Sequence, residues 1–102
     1  MFSLILLYIP CASEDEARSI GRTLIEEKLA ACVNIFPRMQ SISRWKGKTE
    51  ESEEAVLIVK TLEEHAEEAA SRIKQLHSYD CPCIIRFPAQ VNTEYGTWMR
   101  SA

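Results

Sequence analysis

His77, Tyr79, Cys81 and Cys83 fall within one short stretch, His77-Ser78-Tyr79-Asp80-Cys81-Pro82-Cys83, and they hold most of the chain's capacity to coordinate a ligand. Thiolate and imidazole are soft or borderline donors suited to copper(I) or zinc, and in an extended segment Cys81 and Cys83 project to the same face. The set is incomplete by itself. A structural zinc site takes four ligands in a recurrent pattern such as two C-x-x-C pairs, whereas this is one C-x-C with one histidine, so a full site needs Cys11 or another subunit. The competing reading is structural: Cys32 and Cys83 are small buried hydrophobes, and His77 caps a helix C-terminus through a carbonyl. Free cysteine is so often buried that the structural reading carries more weight.

Lys60 ends an apolar strand just before a helix start, where its ammonium either holds an anion beside the first-turn amides or snorkels to the surface; both readings stay open. Trp45, Tyr79, Tyr95 and Trp98 stand at the ends of elements, where each can plug a core. Trp45 differs because it sits at a hairpin tip, with little of its own domain to pack against, and a neighbouring subunit is its natural partner. Cys11 and His65 carry no assigned chemistry, His65 being a solvated residue of an acidic helix turn. The chain has no G-x-S-x-G, P-loop, Rossmann glycine pattern or H-E-x-x-H, and its three glycines leave no room for one. No catalytic residue is assigned, and the expectation is a protein that is not an enzyme.

The elements that position these residues follow from pattern. With 102 residues, 46% hydrophobic and 26% charged, the chain reads as one domain over 1-102. Its net charge of -3 excludes the basic face of a nucleic-acid binder, and the aromatic strand motif of an RNA-binding module is absent. Phe2 to Ile9 is a buried strand stopped by Pro10, too short for a membrane helix and with no basic residue before it to make an export signal. The expected location is the cytosol, where Cys11, Cys32, Cys81 and Cys83 stay thiols.

Ser13 to Glu16 has the form of a capping box, opening a helix with a stripe of Ala17, Ile20, Gly21, Leu24, Ile25 and Leu29. Cys32 to Trp45 then runs out to a Lys46-Gly47 turn, and an acidic arm returns into Val56 to Val59, a long hairpin bent at Pro37. Its arm reaches about 45 Å at strand rise, against a diameter of about 33 Å for a domain this size. Thr61 and Glu64 form a second capping box, before a helix with Leu62, Ala66, Ala69, Ile73 and Leu76 on one side. Cys83 to Phe87 is a short strand limited by Pro88, and Asn92 or Thr93 caps a last turn or two with Tyr95, Trp98 and Met99. The order is β-α-β-β-α-β with a short C-terminal helix, an α+β fold: a ferredoxin-like antiparallel sheet with two helices on one face.

Glu26 to Asn34 (EEKLAACVN), Ser41-Ile42 with Arg44-Trp45 and Gly47, Lys60-Thr61, His77 with Tyr79 and Pro82, and Tyr95 with Trp98 together resemble the CutA family of divalent-cation tolerance proteins. The resemblance covers nearly the whole chain. It implies a homotrimer in which long hairpins wrap neighbouring subunits, the architecture of PII-type signalling proteins. It also implies binding of copper(II) or another divalent cation, with no metal required for the fold. By position, His77 falls on a copper-associated histidine, joined here by Cys81 and Cys83 as candidate metal ligands. Lys60, Tyr79 and Trp98, with Tyr95 beside them, fall on an intersubunit cleft for a metal ion or small effector, and Ile42, Arg44 and Trp45 fall on the trimer-forming hairpin. Cys83 stands where the family usually has Glu, a change that favours soft metals over hard ones. The alternative is a trimeric scaffold whose cleft is empty and which recruits a partner protein.

Overall fold

The alternation of the first strand decides the layering. In a computed structural model, which describes residues 1–102, β1 spans Phe2–Cys11, so Pro10 does not stop the strand but pairs with Val56 inside it. Ile5, Leu7, Ile9 and Cys11 face one side and are almost inaccessible, while Leu4, Leu6, Tyr8 and Pro10 face the other. The chain continues through α1 (Glu14–Glu26), β2 (Cys32–Trp45), β3 (Lys48–Thr61), α2 (Glu63–Leu76), β4 (Ile85–Val91) and α3 (Thr93–Ser101). The sheet order is β2-β3-β1-β4 with every neighbouring pair antiparallel, which is the ferredoxin-like arrangement expected from the order of elements. Ala17, Ile20 and Leu24 of α1 and Ala66, Ala69 and Ile73 of α2 pack on Ile5, Leu7, Ile9, Leu57 and Val59, so both helices cover one face. A smaller cluster of Leu4, Leu62 and Met99 seats α3 on one end of the opposite face.

The local signals fared unevenly. Ser13 accepts from the Glu16 N–H at 3.1 Å, as a cap should. The Glu16 carboxylate then takes the N–H groups of Ala12 and Ser78, each at 2.8 Å, and so ties the start of α1 to the chain beyond α2. Lys28, in the left-handed region at φ 60, closes α1, which leaves Leu29 beyond the helix and Ile25 exposed rather than on the buried stripe. The second capping box does not form. Thr61 is the last residue of β3 and faces inward beside Ile5, so its hydroxyl donates to Leu29 O at 2.7 Å, and Leu62 takes the N-cap position without a side-chain cap.

The hairpin is longer than the body that carries it. Its turn has positive φ at Lys46 and Gly47, the type I′ geometry that matches strand twist. Phe36 pairs with Val56 and Met39 with Glu54, so Pro37 and Arg38 form the expected bulge opposite Ala55. Pairing of β1 with β3 ends at Cys11 and Ala55, and beyond it the ribbon is two-stranded. The molecule measures 46 × 24 × 22 Å as a result. β4 starts later than expected and runs through Pro88, which pairs with Ile5; as an edge strand it tolerates the missing donor.

One face of the sheet remains mostly bare. Cross-strand rows on it read Phe87–Leu6–Lys60–Cys32, then Ile85–Tyr8–Ile58–Asn34, then Pro10–Val56–Phe36. Phe36 is 60% exposed, Phe87 48% and Ile85 42%, and no helix lies over them.

Candidate functional site

His77 follows the last residue of α2, which brings its ring to the end of β1. Its Nε2 lies 2.8 Å from Pro10 O, and the Tyr79 N–H donates to Nδ1 at 3.1 Å. An imidazole that accepts at Nδ1 carries its proton on Nε2, so this is the neutral ring donating to Pro10. The carbonyl it meets is that of β1, not of its own helix. The ring packs on Tyr79, 4.7 Å between centroids. Cys11 and Glu16 stand beside it, with the potential ligand atoms of all three within 4.8 Å of one another.

The charges at this joint are held by neighbours. Burial, then the nearby Glu16 and Glu54 carboxylates, push the Cys11 thiol up to about 12. Burial opposes the charge of Glu16, but hydrogen bonds from Ser78 and Ala12 outweigh it and hold the carboxyl below its ordinary value. The Tyr79 hydroxyl donates to Glu54 at 2.7 Å, and burial together with that carboxylate raises the phenol's pKa. Ser41 donates to the other oxygen of Glu54. A metal ion entering among Cys11, Glu16 and His77 has to displace a hydrogen bond from the imidazole and a proton from a reluctant thiol. As it stands, the trio is a hydrogen-bonded joint.

Cys81 and Cys83 do not join His77 in a ligand group; both are exposed in the irregular segment between α2 and β4. Cys83 is therefore not the buried hydrophobe the structural reading allowed, and Cys32 is half-buried. The buried thiol is Cys11, which the sequence reading named only as one way to complete a metal site; the signal available was its inward phase at the end of an apolar strand. Glu16 and Glu54 were also missed, because their partners are 62 and 25 residues away.

Lys60 gathers the second cluster. On the bare face it pairs with Leu6 and Cys32, and its Nζ lies 3.5 Å from the Tyr95 hydroxyl and 5.2 Å from that ring's centroid. The neighbouring Cys32 thiol, then burial, push the Tyr95 phenol up against the opposing pull of Lys60. Trp98 packs on Tyr95 at 5.3 Å, and Lys60, Tyr95, Leu6 and Asn92 line a cavity of about 290 Å³. Three of the expected cleft residues, Lys60, Tyr95 and Trp98, thus meet within one chain. Tyr79 does not, because its partner Glu54 lies six residues from Lys60 along β3, about 20 Å at strand rise. At the hairpin tip Ile42, Arg44 and Trp45 are exposed, Trp45 having only the Lys46 ammonium 6.0 Å above its ring.

A family described as CutA1 divalent ion tolerance protein matches residues 5–102. The chain belongs to the CutA family. It is 44% identical over 101 residues to the divalent-cation tolerance protein CutA of Thermus thermophilus, covering 98% of this chain and 96% of that protein. The solved CutA1 structure from Ehrlichia chaffeensis superposes with a TM-score of 0.93 at 31% identity, over 99% of this chain and 95% of that one. The CutA structure from Archaeoglobus fulgidus, described there as periplasmic, gives 0.91 at 39%, over 98% and 97%. No helix here is long and apolar enough to cross a membrane. Within the CutA fold, the joint at His77 and the cleft at Lys60 sit at opposite ends of the β1–β3 pairing.

Proposed function

We propose that this CutA chain works as a homotrimer in divalent-cation tolerance, binding a metal ion such as copper, or a small effector, in a cleft between subunits. The observation that carries the assembly is the bare apolar face, rows of Phe87, Ile85, Tyr8, Ile58 and Phe36 that a second copy can bury. The overhanging hairpin supports it, since Ile42, Arg44 and Trp45 are exposed in their own chain. Lys60, Tyr95 and Trp98 form one wall of the cleft, and Tyr79 joins them across a subunit boundary. His77 serves as a metal ligand once its hydrogen bonds open, and Cys81 with Cys83 offers an exposed soft pair. The role is one of tolerance or PII-like signalling, without catalysis.

A second reading, a metal-free trimeric scaffold that recruits a protein partner, is favoured by the two hydrogen bonds that occupy both nitrogens of His77. Calorimetric titration of copper into the wild type, His77→Ala and a Cys81→Ser/Cys83→Ser variant separates the two. The metal reading expects saturable heat in the wild type that at least one variant weakens tenfold or more. Absence of binding in the wild type selects the scaffold.

A further inference from the structure

A second cavity, of about 120 Å³, lies between the turn that follows α1, the first turn of α2 and the end of α3. Ala31, Leu62 and Met99 give it an apolar base. The ionisable side chains that line it, Lys28, His65 and Arg100, are all basic, and no Asp or Glu side chain lines it. In a chain of net charge -3 that concentration has to be explained. Lys28 and His65 take part in no ion pair, and Arg100 touches only Glu64, at 3.5 Å. Ala102 also borders the cavity, and none of the three bases pairs with it.

The backbone at Lys28 adds a second observation. The Leu29 N–H bonds to Leu24 O at 2.9 Å and the Lys28 N–H to Ile25 O at 3.1 Å, the closing pattern in which the residue after the C-cap takes a left-handed conformation. Glycine is the usual occupant, and a side chain there costs about 1 kcal/mol. Lysine holds this position at φ 60 with its side chain on the cavity wall. The charge also suits the negative end of α1, but that alone does not bring His65 and Arg100 to the same space. Across the cavity, Leu62 opens α2 without a capping side chain, so the helix start adds positive potential there, offset in part by Glu63 and Glu64.

We propose that this cavity binds one small oxyanion per chain, held by Lys28, Arg100 and His65. The volume accommodates a phosphate or a short dicarboxylate. The site is distinct from the Lys60 cleft, with which it shares no charged residue.

The test is calorimetric titration of inorganic phosphate and, separately, malonate into the full chain at constant ionic strength in chloride buffer. Wild type, Lys28→Asn and Arg100→Gln are compared. Asparagine tolerates the left-handed conformation, so Lys28→Asn removes the charge and keeps the turn; circular dichroism confirms the fold. Arg100 lies over the Phe2 ring at 5.4 Å, and should Arg100→Gln lose stability, Lys28→Asn still decides. The expected result is saturable one-to-one binding of at least one anion, weakened tenfold or more by Lys28→Asn; whichever anion binds identifies phosphate or carboxylate as the ligand chemistry. Failure of both anions to bind, or equal affinity in wild type and Lys28→Asn, overturns the proposal.

Discussion

At the residue scale, His77 is a clamp between β1 and the end of α2. Removing it leaves the Pro10 carbonyl and the Tyr79 amide without partners in a half-buried place, and His77→Ala should lower stability by about 3 kcal/mol. A thermal midpoint at fixed protein concentration reads this. The neighbouring Glu16 has its folded value depressed, so its contribution is present above the ordinary carboxylate range and is lost as pH falls through the folded value. Glu16→Gln should therefore flatten the acid limb of a stability profile below about pH 4. Cys11 works the other way. Its value is raised from 9.0 to about 12, so its contribution is complete below pH 9 and is lost as pH rises toward 12. Native thiol labelling should show Cys81 and Cys83 reacting fast and Cys11 only on unfolding; rapid reaction at Cys11 would contradict its burial. Much of this joint was not legible beforehand. The stretch around His77 marked the right region, but Cys11 and Glu16 arrive from the end of β1 and the first turn of α1, and residue types within seven positions cannot announce partners more than sixty positions away.

At the element scale, what could be read was what local periodicity controls. The first strand, which continues past Ile9 through Pro10 to Cys11, the helix opened by Ser13, the bulge at Pro37 and the Lys46-Gly47 turn are each set by neighbours in sequence, and each is present. Thr61 shows the limit. Thr-x-x-Glu is a sound helix start in isolation, yet the strand phase fixed by pairing with Ile5 turns the hydroxyl inward to Leu29 O before any cap can form. The docking of α3 depends on a close approach. A Cβ at Gly96 would lie 2.0 Å from Phe2 Cγ, so Gly96→Ala forces the ring or the helix to move. The expected cost is about 2 kcal/mol, with Tyr95 and Trp98 displaced from Lys60. Tryptophan fluorescence and a denaturation curve together detect this, and an unchanged midpoint would show that α3 is not seated as described.

At the scale of the whole molecule, two features have no use in a single chain: a bare apolar sheet face and a ribbon that makes the long axis 46 Å against 24 and 22 Å. The overhang was legible from strand length alone. The bare face was not, because an apolar run such as Phe2 to Ile9 is buried on both faces whether the second cover is a helix or another subunit. Ile58 stands in the middle row, between Tyr8 and Asn34, so Ile58→Lys places a charge at the centre of the proposed contact and should dissociate the assembly while leaving secondary structure intact. The same experiment on the wild-type chain is the most direct. Light scattering across the size-exclusion peak at micromolar concentration should give three chains of 11.7 kDa, about 35 kDa in all. A mass of 11.7 kDa would contradict the trimer and leave the bare face without its occupant.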